Sequence, residues 1–182
     1  GIVTAAMISS AGISRGSLKY LADTGRLDQV SRGVYTLPEV WEDEFVSIQE
    51  RYKRGVFALD TALFLHDLTD RTPHKFHMAF PYGYNTSSPK AAGILCSCKK
   101  EPYYSLGIAL VDTPAGNTVR AYNAEKTLCE ILKPISHTDI QIITDAFKRY
   151  AGRKDKNIPL LSEYAHQLRV EKRLRPYLEV LL

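Results

Sequence analysis

Two glycines, Gly12 and Gly25, set what the start of this chain can become. Each follows a short run of helical periodicity. Each accepts the positive φ of a tight turn or helix stop without steric cost. Ahead of Gly12, Thr4 reads as the N-cap of a helix over 5–10, with Ala5 and Ile8 on one face. Ser14 reads as the cap of a second helix from Arg15 to Thr24, with Leu18 and Leu21 turned inward. Beyond Gly25, Leu27 and Val30 lead to a turn at Ser31-Arg32-Gly33. The strand Val34-Tyr35-Thr36-Leu37 returns, and Pro38 stops it. Helix, glycine turn, helix, glycine and hairpin, in that order, outline a winged helix-turn-helix.

In that motif the start of the second helix meets base edges and phosphates, and the wing lies on the backbone. Ser14, Arg15, Ser17, Lys19 and Tyr20 are therefore candidate helix contacts to DNA, and Thr4 joins them from the first helix. Arg26 and Arg32 are candidate wing contacts. A helical hairpin with a solvated basic face has a similar pattern. The complete element order and the placing of Arg15, Lys19, Arg26 and Arg32 favour the DNA reading. The first helix of a full three-helix module is not found ahead of Val3, so the reading expects it to be missing.

Composition bounds the rest. The chain has 182 residues, 45% hydrophobic and 24% charged, enough for one large or two small domains with a real core. The net charge of +4 permits a nucleic-acid partner but also serves solubility. The cysteines are Cys96, Cys98 and Cys129, an odd set without framework spacing, which points to a reducing, cytoplasmic setting. No apolar run approaches the roughly 20 residues of a membrane span.

A helical pattern over Trp41–Arg54 carries Phe45, Ile48 and Tyr52 on one face and links two domains. Asp60 reads as the cap of a buried helix through Leu68. Phe76–Phe80 alternates as a strand, and residues 81–89 read as a loop. One or two strands lie between Ser97 and Val111. A turn at 112–117 returns Thr118–Tyr122, giving a small, mostly antiparallel sheet. Helices follow to the end: Asn123 caps 124–132, Thr138 caps a helix through Tyr150, Pro159 opens 160–168, and the last runs 170–182. The expected class is α+β: a winged helix-turn-helix over 1–40, then an α+β domain over 41–182 with a small antiparallel sheet and a helical tail.

The candidate chemistry of this second part is sparse. His74 and His77 could join a metal, but no third ligand is near in sequence. Cys96 and Cys98 share one face of a strand, yet a metal site wants a second pair. Asp112, Glu125 and Lys126 suggest a nuclease or hydrolase, but their spacing matches no catalytic motif, and Glu125 suits a first helical turn. No phosphate loop, nucleophile elbow or dinucleotide fingerprint is present. No catalytic residue, metal or cofactor is assigned, and the chain is read as a non-enzyme. Two basic runs stand out: Lys148, Arg149, Arg153, Lys154 and Lys156, then Arg169, Lys172 and Arg173. They fit either a solvated face or a surface for an acidic partner, and the spacing leaves both open.

Four segments together resemble one family. They are Leu27–Pro38 with its Arg-Gly-Val-Tyr turn, the buried helix around Leu59–Leu68, Val119–Glu130 with Glu125-Lys126-Thr127-Leu128, and the closing Tyr177–Leu181. They resemble the AbiEi antitoxins of bacterial type IV toxin–antitoxin and abortive phage-infection systems. The resemblance implies a repressor that binds inverted repeats in its own promoter. It also implies a C-terminal domain that counteracts a nucleotidyltransferase-like toxin, AbiEii, without a stable complex.

Overall fold

A computed structural model describes residues 2–37 and 43–181, with side chains at all of these except Ile2, Arg15, Ser31, Val180 and Leu181. Pro38 as a strand stop and Trp41 as the start of a helix lie outside the described residues. The structure is a mixed α+β one in two compact units. One comprises Gly1–Lys53 with Asp112–Val119, the other Arg54–Val111 with Arg120–Leu182.

In the first unit, strand β1 (Ile2–Thr4) leads into helix α1 (Ala5–Ser10) and helix α2 (Arg15–Asp23). A hairpin of β2 (Asp28–Ser31) and β3 (Val34–Thr36) follows, and then helix α3 (Glu44–Arg51). The sheet order is β1-β3-β2, with Ile2 opposite Thr36 and Thr4 opposite Val34. Sequence reading missed β1, because three residues are too few to show alternation. Leu18 and Val34 are 1% exposed and form the centre of this small core.

The second sheet, built mostly from the second unit, holds five strands among the described residues: β4 (Val56–Phe57), β5 (His77–Pro81), β6 (Leu95–Lys99), β7 (Ile108–Asp112) and β8 (Thr118–Tyr122). Their order is β6-β5-β4-β8-β7; the turn between β7 and β8 groups with the first unit. The expected antiparallel sheet is corrected here. β4 and β5 are antiparallel, but β4 with β8 and β5 with β6 are parallel. A parallel neighbour needs a crossover. Helix α5 (Ser87–Ala91) supplies part of it, inside the stretch read as a loop. Met78–Pro81 is buried at every position, the pattern of a strand covered on both faces.

Helix α4 (Leu59–Leu65) precedes β5. After β8 come α6 (Ala124–Ile131), a short turn of 3₁₀ helix (Pro134–Ser136), α7 (Ile140–Ala151), α8 (Ile158–Gln167) and α9 (Glu171–Leu181). Asn123 caps α6 as expected, its side chain accepting from the Lys126 N–H at 3.0 Å. Two caps differ. Ala58, without a side-chain bond, precedes α4, and Asp60 lies in the first turn, where the helix dipole favours it. Asp139, not Thr138, caps α7, accepting from Gln141 N–H at 2.6 Å. Leu63, Leu128, Phe147, Tyr150, Leu161 and Leu174 fill the core beneath these helices.

Candidate nucleic-acid interface and a lysine cavity

Helix α2 presents the candidate DNA-facing residues. Ser14 caps it, its Oγ accepting from the Gly16 N–H at 3.2 Å, and stays exposed. Burial of Leu18 fixes the roll of the helix. Gly16, Lys19, Tyr20 and Asp23, spaced three and four apart, then share one face, and all four are exposed. Tyr20 is 65% exposed, unusual for a large aromatic side chain with nothing to cover it. Ser17 is half-buried. The Arg15 side chain lies outside what is described.

The β2–β3 hairpin is held by its turn. Gly33 adopts φ +82°, and its carbonyl accepts from the Ala5 N–H at 2.8 Å, tying the turn to the start of α1. A register shift between Gln29 and Ser31 marks a bulge before the turn. Arg32 at the tip and Arg26 behind Gly25 are exposed. Thr4 is different: it is 5% exposed, and its Oγ1 accepts from the Met7 N–H at 3.2 Å. It caps α1, so it leaves the DNA-facing set.

The two basic runs divide. Arg149 pairs with Asp70 at 3.2 Å. Arg153 forks onto both Asp155 oxygens at 2.9 and 2.7 Å and donates to the His66 carbonyl at 2.7 Å. Lys156 donates to the Ala151 carbonyl at 2.8 Å, and Arg173 to the Leu132 carbonyl at 3.1 Å. These four brace the second unit. Lys148, Lys154, Arg169 and Lys172 project from it as exposed residues.

The residues that suggested catalysis also find places. Glu125 is buried and accepts from the Tyr150 hydroxyl at 2.8 Å; burial and that bond push the Tyr150 hydroxyl pKa up. Cys129 is buried, and desolvation pushes its thiol up to about 12. His77 is half-buried, 3.9 Å from Asp60, and burial lowers its pKa. His74 is exposed. Among the described residues no group of three or more His, Cys, Asp and Glu could hold a metal ion. Among them, too, no helix is long and apolar enough to cross a membrane.

Sequence reading missed a cluster of charge inside the second unit. Lys126 is fully buried. Its Nζ donates to the Tyr103 and Leu106 carbonyls, both at 2.6 Å. It also lies 3.2 Å from the centroid of the Tyr122 ring and 3.8 Å from Glu130 Oε1. Burial pulls its pKa down to about 7, against the pull of Glu130. Lys99 meets the same Glu130 oxygen at 2.5 Å, while Glu130 Oε2 is buried with no partner among the described residues. Glu130, Lys99, Lys100 and Lys133 line a cavity of about 410 Å³, with Leu59, Tyr103 and Ile135 on its apolar side. A larger cavity of about 690 Å³ shares Leu59, Ser97, Cys98, Ile135 and Ser136 with it. Leu59, common to both, holds φ +48°, a left-handed value uncommon for leucine. The available signal was the pair Lys126 and Glu130, opposite charges four apart in the same helix as Leu128 and Cys129.

Residues 1–38 match the family model described as transcriptional regulator, AbiEi antitoxin. No curated protein matches the chain. Among solved structures the chain matches the crystal structure of the RV2827C protein from Mycobacterium tuberculosis. The identity is 16% and the TM-score 0.49, covering 98% of this chain and 75% of that one. The N-terminal match supports a regulator role.

Proposed function

We propose that the N-terminal unit is a winged helix-turn-helix that binds promoter DNA, with α2 in the major groove and the β2–β3 turn on the backbone. We propose further that the chain represses its own operon at inverted repeats and acts as antitoxin to a nucleotidyltransferase-like toxin, without a stable complex. The observation that carries the DNA reading is the single exposed face of α2 bearing Lys19 and Tyr20, set by a Leu18 buried to 1%. Arg26 and Arg32 extend that set to the wing, and the regulator match over residues 1–38 supports the same reading. Two copies on an inverted repeat place their helices in successive major grooves, about 34 Å apart.

In the proposal the antitoxin activity belongs to the residues after 40, and the protein acts by binding rather than by catalysis. Promoter binding and toxin neutralisation should therefore separate. The double variant Arg15→Ala, Lys19→Ala is expected to lose promoter binding in a gel-shift assay while protecting cells from the toxin. Unchanged affinity for the promoter removes α2 from the groove. Glu125→Ala tests the enzymatic alternative: a folded variant that no longer neutralises favours catalysis, and one that still neutralises favours binding.

A further inference from the structure

The cavity that Lys99, Lys100, Glu130 and Lys133 line has charged and apolar walls together. We propose that it binds a small phosphate monoester whose alcohol part carries a hydroxyl or amine group. Its volume of about 410 Å³ falls in the range of small-molecule pockets. Leu59, Tyr103 and Ile135 supply apolar wall, and Lys99, Lys100, Glu130 and Lys133 supply charge in the same lining.

Charge selects the phosphoryl group. Lys99 and Glu130, 2.5 Å apart, cancel one another. Lys100 and Lys133 then leave two positive charges in the lining. A phosphate monoester carries about −1.5 to −2 near neutral pH, which matches them; a carboxylate or a nucleic-acid diester brings only one charge per group. Lys133 is crowded as it stands: burial lowers its pKa, Glu130 opposes that fall and Lys99 adds to it. An anion between Lys100 and Lys133 relieves that crowding.

Glu130 selects the donor. The residue is 2% exposed, and its Oε2 has no hydrogen-bond partner among the described residues. A buried carboxylate oxygen left bare carries a desolvation cost that a partner removes. Lys99 and Lys126 both address Oε1, so Oε2, closed off from solvent as the cavity stands, is left for a donor that the ligand brings when the lining parts around it. A hydroxyl or amine next to the phosphate meets that need; inorganic phosphate and a simple alkyl phosphate do not.

Calorimetric titration of the full chain tests this with three probes: ribose phosphate, ethyl phosphate and inorganic phosphate. Ribose phosphate is expected to bind at least about tenfold more tightly than ethyl phosphate. Lys133→Ala, at a half-exposed position, should weaken both esters about tenfold. Glu130→Gln should shrink the preference for ribose phosphate severalfold without weakening ethyl phosphate. If Glu130→Gln does not fold, Lys100→Ala and Lys133→Ala carry the test. The proposal is overturned by no saturable binding of ribose phosphate, by equal affinity for inorganic phosphate, or by unchanged binding in both lysine variants. An oligothymidylate that binds through Lys133 where the esters do not also overturns it, in favour of nucleic acid.

Discussion

The Thr113 hydroxyl donates to Asp43 Oδ2 at 2.5 Å, across 70 residues of chain. The same oxygen accepts from Asn117 Nδ2 at 3.0 Å, and Asp43 Oδ1 accepts from the Phe45 N–H at 3.0 Å. One buried carboxylate thus caps α3 and holds the β7–β8 turn within the first unit. Asp43→Ala removes the cap and leaves a buried Thr113 hydroxyl without its acceptor. It is expected to cost about 3 kcal/mol, a cap plus a charge-assisted bond. Urea denaturation measures it, and a loss under about 1 kcal/mol contradicts the joint role.

Lys126 gives the second unit a pH signature. Its folded pKa of about 7 lies below the ordinary 10.5 because it is buried, with Glu130 opposing the shift and Lys99 and Lys133 adding to it. Between those values the unfolded chain holds a proton that the folded chain has released. Stability therefore rises with pH across this window, and the gain is lost as pH falls back toward 7. In Lys126→Met that rise should vanish, whatever the variant's absolute stability. Denaturant midpoints of both proteins at pH 7, 8 and 9 decide it; parallel slopes contradict the assignment.

What sequence could and could not disclose follows from the range of the interactions. The caps at Thr4, Ser14 and Asn123, the stop at Gly25 and the turn at Gly33 are local: each is set by residues within one turn of chain, and each was legible. The parallel pairs of β5 with β6 and β4 with β8 are not local, and a two-residue β4 carries no periodicity to place it. Helix α5 was hidden by Ser87, Ser88 and Pro89, which read as loop. Of the candidate DNA contacts, Lys19, Tyr20, Arg26 and Arg32 are exposed, as helix periodicity and turn chemistry lead one to expect. The lysine cavity was missed because Lys126 and Glu130 at i and i+4 look like an ordinary surface pair; only packing under Tyr103 and Tyr122 buries them.

Gly107 places a steric limit beside this cluster. It holds φ +67°, and a Cβ there would meet Asn123 Oδ1 at 3.0 Å and Lys126 Cβ at 3.1 Å. That oxygen is the cap of α6. Gly107→Ala is expected to cost about 3 kcal/mol, combining left-handed strain with displacement of the cap. Gly116 is the control: it has φ +79° with nothing within 4 Å of a Cβ, so Gly116→Ala carries strain alone, about 1 kcal/mol. Thermal unfolding of the two variants separates the terms. Equal losses show that the contact with Asn123 and Lys126 contributes nothing.

DNA binding by the first unit predicts its own salt dependence. With Arg26 and Arg32 on phosphates and the start of α2 adding further contacts, one copy in the proposed complex meets about five phosphates. The slope of log K against log salt is then about −4 to −5. Arg32 sits at the tip of the wing, where a phosphate contact positions the protein but reads no base. Arg32→Ala should therefore weaken promoter and unrelated DNA alike and make the slope shallower by about 0.9. Lys19→Ala is expected to act differently: if the exposed face of α2 reads bases as proposed, its loss lowers the ratio between promoter and unrelated DNA as well as the slope. Fluorescence anisotropy over a salt series measures both. An unchanged slope in Arg32→Ala takes the wing off the DNA, and an unchanged ratio in Lys19→Ala takes base readout away from α2.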